Sequence, residues 1–173
     1  ERVAAMSLLR NARAQYFITI TTVSNMERSL LHDLTNKLIR RANRGLFGRN
    51  YFKNGSGFLE GFVIFENAAS SCSTKKYSSK RNTLAHHHYH CFIKTDKNYK
   101  EISATFLQST KSIKIKRSRV FNFDLGIDIQ YNDNSDKVLF YATKECKNAD
   151  NIFPLTVDGI SDDDRYCDKY LAI

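Results

Sequence analysis

Hydrophobic and polar positions alternate with a period of two over Tyr16–Val23 (YFITITTV). That segment is β-branched and aromatic, which predicts a strand. Ser24-Asn25-Met26-Glu27 follows as a capping box, and Leu30, Leu31, Leu34, Leu38 and Ala42 then recur along one helical stripe. Gly45 suits the position just past the end of that helix. Phe58–Glu66 (FLEGFVIFE) predicts a second strand and Ala85–Lys94 (AHHHYHCFIK) a third. Between them, Asn67–Thr83 is rich in Ser, Lys and Asn, the composition of a loop or hairpin tip. Asn98–Gln108 places Tyr99, Ile102, Phe106 and Leu107 at helical spacing. Ile113–Tyr131 reads as two short strands around a turn near Asp124-Leu125-Gly126. Asp133–Lys147 predicts a helix, with Asp133 and Asp136 at its start and Lys144 and Lys147 near its end, as the helix dipole favours. From Asn148 the chain reads as an acidic, partly helical tail. The order β-α-β-β-α-β-β-α implies an α+β fold: an antiparallel central sheet of about five strands with helices packed on one face.

Length and composition bound this picture. The chain has 173 residues, one domain of ordinary size, and 42% of them are hydrophobic, enough for a core. Apolar runs such as Phe62–Phe65 fall far short of the roughly 20 residues of a membrane span, so no membrane partner is expected. No charged-then-apolar start suggests a secretory signal. The first residue is Glu1 rather than Met, as in a piece of a longer protein. The four cysteines are scattered without a CxxC pair, which argues against a zinc finger or a disulfide framework and fits a reducing compartment.

Charge changes the picture further. The net charge is +9, yet five of the acids lie in Asp158–Asp168. Residues 1–157 therefore hold 25 basic and 13 acidic side chains, a net of +12. This predicts a basic domain over 1–157 and an acidic tail over 158–173, the start of a linker to a further domain. A basic body suggests a polyanion partner, with nucleic acid the first candidate.

His86-His87-His88-Tyr89-His90 is the most unusual run. On a strand, His86, His88 and His90 share one face, about 7 Å apart in successive pairs along the backbone, and their rings can converge on a cation. The same run could be a solvated strand end. A third ligand should come from the preceding strand, which offers Glu60 and Glu66 on one face. These are roughly 20 Å apart along an extended strand, so only one can reach, and Glu66 is favoured because it closes its strand. Two imidazoles and a carboxylate form a mixed site for Mn²⁺ or Mg²⁺ with positions left open for substrate oxygens.

On the helix Asp133–Lys147, Tyr141 lies at the rim of the apolar arc, with Lys144 one turn on. A phenol is a weak nucleophile at its ordinary pKa of about 10; a neighbouring cation and an ammonium group would activate it and neutralise phosphate charge. Taken alone, Y-x-x-K is equally a half-buried core tyrosine and a solvated lysine.

The FITITT strand, the His-Tyr-His pair with apolar residues after it, and Tyr141-Ala142-Thr143-Lys144-Glu145 occur in that order. Together they resemble the HUH endonuclease superfamily, and the single tyrosine followed by x-x-Lys resembles its Rep branch, the rolling-circle replication initiators of small plasmids and single-stranded DNA viruses. The strand Phe123–Gln130 and a glutamate closing the strand upstream of the histidines fit that branch too. The resemblance runs from about Tyr16 to Lys147; the long loop Asn67–Thr83 and the acidic tail depart from it, and no Walker-type phosphate loop is present. It implies an RRM-like, HUH-type sheet and a metal-dependent nickase acting in DNA replication. His88, His90 and Glu66 would hold the metal, Tyr141 would attack single-stranded origin DNA to leave a 5′-phosphotyrosine, and Lys144 would stabilise the phosphate. Lys111, Lys114, Lys116, Arg117, Arg119 and the basic first helix would grip the strand, with Thr19 and Thr21 bonding to bases or backbone. An origin hairpin and a fused or separate helicase are the implied partners. The setting would be the cytoplasm for a bacterial plasmid or phage, and the host nucleus for a eukaryotic virus.

Two other readings remain open at this level. One is a relaxase or single-tyrosine transposase of the same superfamily. Relaxases usually carry the tyrosine near the N-terminus, and the transposases usually lack a lysine at this spacing, so Lys144 favours Rep. The other is a non-catalytic single-stranded nucleic-acid-binding module, which needs exposed aromatics on the central strands and neither the histidines nor Tyr141.

Overall fold

A computed structural model describes residues 2–22, 27–54, 57–66, 87–111, 125–133, 135–143 and 151–161. Within them, helix α1 (Arg2–Ala12) precedes strand β1 (Tyr16–Thr22), α2 (Arg28–Phe47), the short α3 (Tyr51–Asn54), β2 (Glu60–Glu66), β3 (His88–Lys94), α4 (Tyr99–Lys111), β4 (Leu125–Tyr131), α5 (Asp136–Ala142), β5 (Ile152–Thr156) and β6 (Gly159–Ile160). The six strands form one sheet in the order β4-β1-β3-β2-β5-β6, antiparallel at every junction. The fold is α+β, as expected. Its β1-α2-β2-β3-α4-β4 portion, with strand order 4-1-3-2, has the connectivity of a ferredoxin-like unit.

Alternation along β1 sorts the core into two halves. Tyr16, Ile18 and Ile20 face α2 and α4, where they meet Leu31, Leu34, Leu38, Ile39, Ala42, Ile102 and Phe106. Val63, Phe65, Tyr89, Cys91 and Ile93 join them from β2 and β3. α4 opens on a reciprocal cap: Asn98 Oδ1 accepts from the Glu101 N–H at 3.1 Å, and Glu101 Oε2 accepts from the Asn98 N–H at 2.9 Å. Phe17, Phe62, Ile64 and Phe92 face the other way, under Leu8, Leu9 and Ala12 of α1 and Leu139 and Ala142 of α5.

Several expectations need correction. Helices cover both faces of the sheet, because α1, which the alternation pattern did not reveal, packs with α5 on the face that α2 and α4 leave open. α2 does not stop before Gly45 but runs to Phe47. Gly45 lies inside it, where a Cβ would come within 2.7 Å of Thr105 Cγ2 on α4. The residue closing the helix is Gly48 at φ +92°, whose N–H donates to the Arg44 carbonyl. α2 is entered at Glu27 without a side-chain cap bond, and the capping-box residues Ser24–Met26 lie outside the described residues. Leu125 and Gly126 belong to β4 rather than to a turn, and the strand expected before them is outside the described residues.

The last helix begins three residues later than expected, at Asp136. Ser135 caps it by accepting from the Val138 N–H at 3.4 Å, while Asp133 accepts from the Ser135 N–H and its carboxyl is held below the ordinary range by that bond. Of the segment after Asn148, the described residues 151–161 supply strands: β5 joins β2, and Ile160 on β6 donates its N–H to Asn36 of α2 at 3.1 Å, while the rest of the expected partly helical tail lies outside the described residues. Among the described residues, no helix is long and apolar enough to cross a membrane.

Candidate metal centre

β3 lies between β1 and β2, and its alternation sends His88 and His90 to the α1 face, with Tyr89 and Cys91 on the α2 face. Register does the rest. His88 pairs with Glu66 on β2, and His90 pairs with Thr19 on β1. Glu66 Oε2 stands 2.7 Å from His88 Nε2 and 2.9 Å from His90 Nε2. Glu66 and His90 are buried and His88 is partly exposed, so the cluster opens to solvent on the His88 side.

The residues fit a cation. One donor atom from each of Glu66, His88 and His90 lies within 4.8 Å of the others. Two ligands at right angles around a cation, each about 2.1 Å from it, are about 3 Å apart, close to both observed contacts. A carboxylate this deeply buried must be balanced by positive charge, which either imidazole protons or a bound cation can supply. Nitrogen and oxygen donors of this kind suit a divalent metal ion.

Further contacts fix the ligands. Thr19 Oγ1 lies 3.2 Å from His90 Nδ1. A hydrogen on Nδ1 donated to Thr19 leaves the Nε2 lone pair directed at the cluster. Phe17 stacks on the His90 ring with centroids 5.1 Å apart, and the His88 ring meets His90 edge-on at 4.8 Å. On the reverse face, the Tyr89 hydroxyl lies 3.0 Å from His32 Nδ1 and anchors β3 to α2. Cys91 points into that reverse core, where burial pushes its thiol pKa up, so it is no thiolate ligand.

Tyr141, on α5, lies against this cluster: its ring centroid is 5.5 Å from that of His90, and the residue is 48% exposed. The α1–α5 contact that places it includes an ion pair between Arg10 and Asp136. The structure therefore brings Glu66, His88, His90, Thr19 and Tyr141 together. Thr21 lies one step along β1 on the same face and donates to the Gly126 carbonyl at 3.4 Å. Glu60 is at the far end of β2, opposite Lys94. His87 packs against Phe65 on the other face, where burial, then Arg28 and His88, lower its pKa. Lys111 ends α4 on the face away from the triad, as does the basic helix α2. Lys144, Lys114, Lys116, Arg117, Arg119 and His86 lie outside the described residues. Sequence reasoning missed the roles of Phe17 and Thr19. Their shared face was legible from the FITITT alternation, but the partner register was not.

Fold and site together define an α+β sheet protein with a candidate two-histidine, one-carboxylate metal centre beside a half-exposed tyrosine. No family model, curated protein or solved structure matches the chain.

Proposed function

We propose that this chain is a metal-dependent single-stranded DNA endonuclease and strand transferase of the HUH Rep type, acting as a replication initiator. The observation that carries the reading is the position of Tyr141, half-exposed and 5.5 Å from the ring of a triad histidine. A structural metal centre has no need of an accessible phenol at its edge, whereas phosphoryl transfer needs a nucleophile beside a charge-neutralising centre.

Glu66, His88 and His90 would hold Mn²⁺ or Mg²⁺, which supplies Lewis-acid polarisation of the scissile phosphate. Tyr141 Oη attacks phosphorus, and the bond from phosphorus to the 3′ oxygen breaks. The phenol proton ends, in net, on that oxygen, leaving a free 3′-OH and a 5′-phosphotyrosine. The phosphoester bond is conserved, so attack by a 3′-OH rejoins the strand without ATP. Lys144 neutralises phosphate charge, and Thr21, Lys114, Lys116, Arg117 and Arg119 contact the strand. Thr19 is assigned to His90 rather than to DNA, since its hydroxyl is engaged there. The non-catalytic reading is disfavoured because Phe17, Phe62 and Phe92 on the central strands are buried and offer no stacking platform.

The test is incubation with single-stranded DNA and Mn²⁺ followed by a denaturing gel. Wild type should give a covalent adduct, and Tyr141→Phe should abolish it while leaving DNA affinity within about twofold, since only a hydroxyl is lost. An adduct on another tyrosine, such as Tyr131, or reversible binding alone, would overturn the proposal.

A further inference from the structure

Among the described residues, positive charge is concentrated on one side of the sheet. Residues 28–54 carry seven basic side chains and one acid, Asp33, a net of +6 within the whole chain's +9. Lys37, Arg40, Arg41 and Arg44 fall within an arc of about 100° on α2. That arc points away from Leu31, Leu34, Leu38 and Ala42, which pack on the sheet. Lys37, Arg40 and Arg44 are exposed, and exposed Arg49 and Lys53 follow the helix. Among the described residues, no carboxylate lies within ion-pair distance of Lys37, Arg40, Arg44, Arg49 or Lys53.

This ridge and the triad lie on opposite faces of the sheet. A packed layer stands about 10 Å from a sheet and a helix adds about 5 Å of radius, so the protein's thickness separates them. A strand held at the triad does not reach the ridge. We infer that the ridge is a second nucleic-acid site, which binds the phosphate backbone of a duplex. Arginine predominates, and its planar guanidinium pairs with phosphate through two hydrogen bonds. Lys37 to Arg44 spans about 10 Å of helix, enough to meet more than one phosphate. From Lys37 to Arg44 the stripe bears no aromatic side chain for unpaired bases to stack on; the exposed Phe52 stands past the end of α2, beneath the Lys53 ammonium. A duplex presents a charge every ~1.7 Å of axis, the denser target for a rigid row of cations. The inference goes beyond the nuclease reading and does not depend on it.

The experiment is a fluorescence-anisotropy salt series on the full chain with a labelled duplex of about 20 base pairs in EDTA, read as the slope of log K against log salt. Lys37→Ala/Arg40→Ala/Arg44→Ala should weaken binding more than tenfold and flatten the slope by about 2 to 3 units, at about 0.9 per phosphate. Arg13→Ala/Lys94→Ala/Lys100→Ala removes the same charge elsewhere and should leave the slope within about half a unit. All six side chains are exposed, so both variants should keep the wild-type circular dichroism. Equal flattening in both variants, no duplex binding by wild type, or a loss confined to anionic lipid vesicles overturns the ridge. If the Tyr141 adduct fails to form while the ridge result holds, only the nuclease reading falls.

Discussion

His90 is constrained on three sides of one ring: Glu66 at Nε2, Thr19 at Nδ1 and Phe17 across its face. A ligand held this way gives up little freedom when a cation binds. Thr19→Val keeps the shape and removes the acceptor, and should lower Mn²⁺ affinity about 10- to 100-fold. Thr19→Ser should restore it. Calorimetric titration decides, and wild-type affinity in the valine variant would reduce Thr19 to a space-filler. Tyr16 makes a different kind of prediction. Burial, then Tyr131 and Glu101, raise its phenol pKa, and its hydroxyl donates to the Lys97 carbonyl at 2.8 Å. A raised folded-state pKa means stability that is fully present below the unfolded value of about 10 and is lost as pH climbs past it. Urea unfolding at rising pH should therefore show an alkaline decline that is shallower in Tyr16→Phe; identical declines would dismiss the linkage.

At the scale of elements, the triad depends on β2 keeping its register with β3. Gly61 holds φ +131° there, and a Cβ would fall 1.9 Å from the Phe92 carbonyl oxygen. Gly61→Ala should cost about 2–4 kcal/mol in urea unfolding, through backbone strain plus a main-chain clash. A cost below about 0.5 kcal/mol would mean that the strand accommodates the methyl group. A glycine within FLEGFVIFE is the kind of position that allows a close backbone approach, but the pattern does not say that the Phe92 carbonyl is what approaches. α5 shows the converse. Its start is legible in Ser135 and Asp133 once the Ser135–Val138 bond is seen, but counting Asp133 as a first-turn acid set the boundary too early.

On the scale of the whole molecule, the sheet carries two unequal covers. α2 and α4 seal one face, while α1 and α5 cover the apolar part of the other, so the cluster sits at the edge of that lid, with Glu66 and His90 buried and His88 open to solvent. Strand pairing holds the triad, and helix packing holds Tyr141, so the two can be separated experimentally. Leu9 of α1 is fully buried beneath that lid. Leu9→Ala should cost about 2–5 kcal/mol of stability. It should also lower the yield of the Tyr141 adduct while Mn²⁺ affinity persists, as titration and a denaturing gel on the folded variant would show. Parallel loss of both would mean that the lid also braces the strands.

The sequence by itself determined the α+β class, β1 to β3 and α4 to within a few residues, and the side chains from which the candidate centre is built. Those follow from local rules: period-two alternation for strands, helical stripes for α2 and α4, and imidazoles two residues apart sharing a face. Tertiary structure decided how the carboxylate meets the histidines. Glu60 and Glu66 share a face in the pattern and the strand-closing position already favoured Glu66, but only the β2–β3 register puts it opposite His88. It also decided that Thr19 faces His90, that α1 and β5–β6 complete the sheet's surroundings, and that basic α2 lies behind the triad rather than beside it. The physical reason is that register and layer are set by contacts between segments far apart in the chain, and local periodicity carries no information about which distant partner a face will meet.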